Sequence, residues 1–484
     1  MIRMPAFDRA VVASPARRPK TMLPIACCLA ISVSVPLHAG HAGTGFTVMH
    51  TFTGGDDGAF PEATLLVDSG KIYGTAESGG RSNKGVVFQM TRKGAETVLY
   101  NFTGGSDGAN PETDLVADKD GNLYGRTVAG GAYGYGTIFR TAPDGTETTL
   151  LSFTELDNGN AGLTGLIRDG KGNLYGADDQ SIFRLAPDGT ETILYTFSGS
   201  DGENPNGDLL RDKSGDLYGT THNGGTDGKG VVFEIAAGGK ESTLYNFQGG
   251  NDGYAPDSGP TVDAAGNFYG TTYTAGSADC GIVYKLAPDG TETVFHAFAG
   301  GSSDGCNPQF GRLAIDDSGD LYGMTNLGPG TACGGHGCGI VFKIAPDGNE
   351  KIRHAFTGTD GYWDGYWPNA SVVADHKGWL WGATWTGGTD NYGVVFKVKS
   401  RFASARGGLE SIPVCRPVAE VATPGFTCSP GSRKPACAWC ANARRTSRPI
   451  LSMAAFFPVG WGSRPWKYAG NAAASAVSSG AAVF

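Results

Sequence analysis

A unit of roughly fifty residues recurs seven times between residues 46 and 399, and this repetition limits the fold more tightly than any composition could. Tyr73, Tyr124, Tyr175, Tyr218, Tyr269, Tyr322 and Trp381 each precede a glycine, and Phe88, Phe139, Phe183, Phe233, Tyr284, Phe342 and Phe396 follow in step. Within residues 111–153 the apolar residues alternate in short runs, and Gly, Pro, Asp or Asn separates the runs. That is the pattern of strands joined by turns, and no run has helical period. Four strands fit: A from Asp114 to Asp118, B from Asn122 to Thr127, C from Gly136 to Thr141 and D from Glu147 to Phe153. Lys119-Asp120-Gly121 and Ala142-Pro143-Asp144-Gly145 make tight A-to-B and C-to-D hairpins, whereas the B-to-C and D-to-A connections are longer and rich in Gly and Asp.

A four-stranded meander cannot bury both faces alone, so its copies must pack on one another as propeller blades. With strand A innermost, the chain opens on an isolated D strand, Phe46 to Phe52, and closes on A, B and C only, from Ser371 to Val398. The two ends therefore complete one blade, and the expected fold is an all-β seven-bladed propeller closed by its N-terminal strand, which removes an exposed sheet edge. Because strands alternate in direction, both long connections should emerge on one face and both hairpins on the other.

Three regions follow. Residues 1–42 carry Arg17, Arg18 and Lys20, then an apolar run from Met22 to about Val35, then small residues with cleavage expected after Ala39 or Ala42. This reads as a secretory signal peptide, so a secreted or cell-surface protein is expected. The run is too short and too interrupted by Pro for a membrane-spanning helix, and no stretch of ~20 apolar residues occurs elsewhere. Residues 43–399 form the propeller; they hold 44 acidic and 23 basic side chains, the wrong sign for a nucleic-acid partner. Residues 400–484 lose the repeat and are basic; Cys437 and Cys440 form a CxxC that could ligate zinc with Cys415 and Cys428, but the 415-to-428 spacing is not a second pair, so no zinc site is expected. A monomer without cofactor or metal is expected.

The motifs GNLYG, GVVF, APDGTE and FTGGxDGxxP resemble the GloVer-type tandem repeat of secreted bacterial choice-of-anchor proteins, over residues 46–399. The resemblance implies an exported or surface protein from a family with no assigned reaction.

Repeated carboxylates fall into two sets. Asp68, Asp118, Asp169, Asp212, Asp263, Asp316 and Asp375 end each strand A, where an Asp caps a turn; Asp57, Asp107, Asp201, Asp252, Asp304 and Asp360 cap the D-to-A loops, with calcium the sharper alternative. His222, in a B-to-C loop with polar neighbours, could serve as a general base, but no Ser or Cys nucleophile is placed beside it in sequence, and it reads as solvated and idle. Blade 7 differs from the rest. Tyr362, Trp363, Tyr366, Trp367, Trp385 and Tyr392 fall in or beside its long loops, as packing of an enlarged loop or as a platform for a carbohydrate or peptide. Cys280, Cys306, Cys333 and Cys338 all fall in long-face loops, and an exported chain should oxidise them as Cys280 with Cys306 and Cys333 with Cys338. The leading expectation is a non-enzymatic binding or scaffold module at the cell surface with a glycan or peptide ligand. A polysaccharide lyase or glycoside hydrolase with its site among the long loops, and a purely structural surface protein, are the alternatives. Two carboxylates about 5–10 Å apart in a loop-lined pocket would favour the hydrolase.

Overall fold

A computed structural model describes residues 45–400 apart from 155–163, 309–310, 331, 359–363 and 376. These residues belong to one compact unit, Met1–Gly408; the leader, the second unit, Leu409–Phe484, and all four tail cysteines fall outside them. Seven antiparallel sheets form the blades of a β-propeller. In blade 2 the strands run outward as Val116–Ala117, Leu123–Thr127, Thr137–Thr141 and Glu147–Ser152. Helix among the described residues is confined to single turns such as Gly250–Asp252 and Ala332–Gly335.

The ring closes as the strand arithmetic requires. Phe46–Thr51 pairs with Val394–Lys399, from Phe46 opposite Val398 to Thr51 opposite Val394, and so supplies the outer strand of blade 7. Across the same seam, Arg92 of blade 1 forms an ion pair with the buried Asp375 of blade 7.

The Tyr-Gly and Phe motifs explain each other through the register of strands B and C. Gly125 lies opposite Phe139, and a Cβ on Gly125 would stand 2.7 Å from the Phe139 ring and 2.8 Å from Leu115. The same opposition joins Gly219 to Phe233 and Gly382 to Phe396. Only glycine lets the ring lie flat on the neighbouring strand, and the buried Phe then fills the inter-blade core.

Two features depart from strict alternation. In all seven blades the outer ladder slips at one place, as where Val87 pairs with Tyr100 but Phe88 with Val98, leaving Leu99 unpaired. This bulge accommodates adjacent large residues such as Leu99-Tyr100 and Leu244-Tyr245, and it adds the twist a blade needs. Strand A is the other departure, because it holds only two or three residues where the pattern from Asp114 to Asp118 implies more. The residues before it leave the ladder and turn to the axis: the Thr64 amide donates to the Asp114 carboxylate (2.6 Å) and the Gly165 amide to Asp208 (2.7 Å). Blade 4 gains an extra strand, Glu203–Pro205, on a lengthened Leu217–Asn223.

With the exception of Asp68, the strand-A aspartates cap their turns, and the described loop aspartates cap the D-to-A loops. Asp118 accepts the amides of Asp120 and Asn122 and the Tyr124 hydroxyl, and Asp107 accepts from Thr103, Gly105 and Tyr100. Asp360 lies outside the described residues; in that loop Asp364 takes the capping part, accepting the Thr357 amide at 3.1 Å. Bridges such as Ala59 to Ser78, Tyr254 to Thr274 and Tyr366 to Thr386, and the Glu203–Pro205 strand in blade 4, tie the D-to-A loops of six blades to the B-to-C loops beside them, so these long connections share a face. On that face Cys280 is bonded to Cys306 and Cys333 to Cys338.

Candidate functional site

Where the chain turns from the D-to-A loop toward strand A, several blades present a residue to a shared cavity on the axis. Blades 1, 2, 4 and 6 present Thr64, Asp114, Asp208 and Arg312. Arg312 of blade 6 donates to the Leu209 carbonyl of blade 4, a contact that skips blade 5 and therefore crosses the channel. Burial, and then the facing Asp208, raise the Asp114 carboxyl well above the ordinary range, and burial lowers the Arg312 guanidinium. Together these groups plug the channel below its long-loop mouth.

At the mouth stand three carboxylates, Glu62 and Glu112 ahead of strand A and Glu77 just past strand B. One oxygen from each lies within 4.8 Å of the others. Asn369 Nδ2 donates to Glu62 (2.6 Å), and Trp385 Nε1 donates to Glu77 (3.4 Å). Burial, then Glu62 and Glu77, push Glu112 up to about 8, and burial also raises Glu62. Such a trio can hold a proton or a hard divalent cation, whose oxygen ligands sit ~2.3–2.6 Å from the metal. The cavity lined by Glu62, Glu112, Asn206, Asp208 and Asn369 measures about 20 Å³. That is room for about one water among the buried polar groups.

An aromatic band adjoins the trio. Trp385 is stacked on Trp367 at 5.9 Å and 20°, and it meets Phe60 at 5.5 Å. Phe60 in turn contacts Tyr392 at 5.5 Å, and Tyr366 packs on Trp367 at 5.3 Å. Trp367 and Tyr392 are 37% and 36% exposed, among the most exposed large apolar residues. Tyr362 and Trp363 lie outside the described residues. Thus four of the six aromatic residues singled out in the sequence stand in one band, joined by Phe60, which was not.

The backbone of this band is unusual. The residue before the proline of the D-to-A loop is left-handed in several blades, with φ 57° at Asn110, 57° at Asn204 and 56° at Asn307. Asparagine suits that conformation, and here its amide also donates to the preceding blade: Asn110 to the Glu77 carbonyl, Asn204 to that of Asp179 and Asn307 to that of Tyr273. At the same place Phe60 has φ 59° and Trp367 φ 52°. Both aromatics thus replace a residue better suited to the turn.

His222, read from sequence as a solvated loop histidine, is part-exposed and paired. Its Nδ1 is 2.6 Å from Oδ1 of Asp257, whose carboxylate is buried and also accepts Asn206 Nδ2 at 3.3 Å. The hydrogen bond to Asp257 raises the imidazole pKa above its ordinary value, with burial opposing. Asp257 is 35 residues downstream, in the next blade, so proximity in sequence could not reveal the pair. Aligning the seven copies could have, since His222 occupies the column of Glu77 and Trp385, and Asp257 that of Glu62, Glu112 and Asn369.

The Gloeobacter/Verrucomicrobia repeat model matches residues 38–181 and 177–396. The chain belongs to the Gloeobacter/Verrucomicrobia repeat family. No curated protein matches it. Among solved structures, this repeat protein is similar to a gluconolactonase from Xanthomonas campestris, at 15% identity and TM-score 0.35 over 58% of this chain and 89% of that one. It is similar also to PorZ, a surface component of the type-IX secretion system of Porphyromonas gingivalis, at 16% identity and TM-score 0.43 over 69% of this chain. The match spans 46% of the length of PorZ. These likenesses concern the propeller fold.

Proposed function

We propose that the long-loop face binds a glycan, laid against the Phe60, Trp385 and Trp367 band with its hydroxyls directed to the carboxylates and Asn369 at the channel mouth. The observation that carries this reading is the pair of aromatic residues in left-handed backbone. Leaving the ordinary backbone regions costs about 1–2 kcal/mol per residue, which Asn partly recovers by local hydrogen bonding. Phe60 and Trp367 give up that recovery, and strain retained at a surface loop suggests a use outside the fold. Rings beside convergent acceptors suit a ligand with apolar ring faces and polar edges. The acidity of the mouth weighs against polyanions.

Trp367→Asn separates the two roles. It should unfold at a higher denaturant concentration than wild type yet lose signal on a glycan array. A blank array for wild type, or an unchanged array for Trp367→Asn, would sink the reading; a peptide ligand or a purely structural protein would then take its place. The leader pattern and the two loop disulfides support export, with the propeller beginning near residue 43. Protein recovered from culture medium should begin at Gly40 or Gly43, and an intact Met1 would contradict this.

A further inference from the structure

We propose that His222 is a general base at this mouth and that its substrate is an uncharged acyl ester carried by the bound glycan, such as an O-acetyl group. The proposal rests on the glycan-binding reading above. It starts from the geometry of one pair. The Asp257 carboxylate is an acceptor, so the proton on the imidazole is drawn to Nδ1, 2.6 Å away, and Nε2 is left with its lone pair. Asp257 is itself fixed, since its side chain is only 4% exposed and Asn206 donates to the same oxygen. The His222 side chain is 33% exposed, so an oriented base stands open to a ligand. Asn206 also lines the cavity shared with Glu62 and Asn369, which places the pair on the rim of the same mouth.

The chemistry follows from what accompanies the base. No serine hydroxyl or thiol is bonded to His222 among the described residues, so the nucleophile it can serve is water. Acetal cleavage calls for an acid on the leaving oxygen with a carboxylate or activated water on the opposite face of the sugar, whereas the carboxylate bonded to His222 among the described residues, Asp257, is committed to Nδ1. An acyl carbon asks less. Nε2 takes a proton from water as the water oxygen bonds to the carbonyl carbon and the C=O electron pair moves onto oxygen. When that pair returns, the ester C–O bond breaks, and the departing alkoxide takes the proton back from Nε2, giving a carboxylic acid and a free hydroxyl. Glu62, Glu77 and Glu112 repel anionic esters, so the substrate is uncharged.

The groups facing the His222 ring are Asp257 and Tyr254, whose ring centre is 6.0 Å away and carries the Lys229 ammonium over it at 4.8 Å. Asp257 is a positioning residue, and its signature is a shift in pH profile. The active form of His222 is neutral, so the rate rises with pH through the imidazole pKa; Asp257→Asn removes the group that raises this pKa and should move that limb to lower pH while lowering kcat.

The test uses the full chain, acetylated xylan oligosaccharides with acetate release as the readout, and their deacetylated parents for binding. The expected result is acetate release by wild type that falls on the order of 10²-fold or more in His222→Gln, with binding of the parent oligosaccharides unchanged. Wild type that binds the parents but releases no acetate, or His222→Gln at wild-type rate, overturns the base and leaves the binding reading standing. His222-dependent cleavage of 4-nitrophenyl acetate without binding of any parent glycan keeps the base and overturns the glycan.

Discussion

Blade 5 carries a tyrosine, Tyr284, where the other six blades carry phenylalanine, and replacing it should stabilise the protein. Tyr284 is fully buried, and its hydroxyl has no hydrogen-bond partner among the described residues. The oxygen sits against strand B, where a Cβ on Gly270 would be 2.4 Å away. Burial, and then Glu292, push the phenol far above its usual pKa, so the group is neutral at every working pH. A buried donor left unpaired costs about 1–3 kcal/mol, whereas the ring itself packs as the Phe does in the neighbouring blades. Tyr284→Phe should therefore gain about 1–2 kcal/mol. Thermal melting reads this poorly: at ~2 cal/mol/K per residue, a propeller of about 350 residues unfolds with ~0.7 kcal/mol/K of entropy, so 1 kcal/mol moves Tm by only about 1.5 °C. Urea unfolding followed by tryptophan fluorescence is the better assay, with a raised midpoint and an unchanged slope expected. The reciprocal change, Phe342→Tyr in blade 6, should cost at least as much, since that ring tip already lies 2.6 Å from a Cβ built on Gly323. A lowered midpoint for Tyr284→Phe would refute the reasoning, because it would mean that the hydroxyl is satisfied by a buried water whose bonds the variant loses.

Two further predictions concern the long-loop face. Glu112, raised to about 8, binds a proton more tightly folded than unfolded; its contribution is fully present below the ordinary carboxylate pKa and lost as pH rises to about 8, so wild type should lose stability between pH 5 and pH 8. Glu112→Gln should flatten that loss in urea midpoints, and an unaltered pH dependence would exclude the trio as its source. Cys280→Ser with Cys306→Ser opens a loop with a sequence separation of 26 and should cost about 3 kcal/mol on the chain-entropy estimate; a double variant as stable as wild type in urea would show that the loops hold without the bond.

What could be read from the sequence divides along the symmetry of the repeat. Blade number, ring closure, turn-capping aspartates and the cysteine pairing all rest on residues that recur or on their position within a unit. The Gly125 and Phe139 opposition was visible as a spacing but not as a contact, because its reason is the absence of a Cβ. The outer bulge escaped because period two cannot represent one extra residue such as Leu99. The blade 7 aromatics stand out in the sequence because large rings in a Gly-rich loop are conspicuous. Glu62, Glu77 and Glu112 do not, since an isolated Glu in a loop looks like solubility, and only the ring brings their oxygens within 4.8 Å.

A closed ring turns each column of the repeat into a circle at one height above the sheets, which gives departures from the repeat a spatial meaning. The column before the loop proline, Phe60, Asn110, Asn204, Ala255, Asn307 and Trp367, is a circle on the long-loop face, and its two aromatics are neighbours around the ring because blades 7 and 1 adjoin at the closing seam. The column two residues further on holds Glu62, Glu112, Asn206, Asp257 and Asn369, the circle at the mouth. Below it lies the circle of Thr64, Asp114, Asp208 and Arg312 that plugs the axis. The Gly and Phe columns supply the inter-blade core, while these three circles add polar bonds between neighbouring blades; they are the positions at which a repeat protein can acquire a site with little change to its apolar core. Rings on one side of the mouth and an oriented imidazole on the other are what differ from blade to blade, and a ligand long enough to span the mouth would touch both.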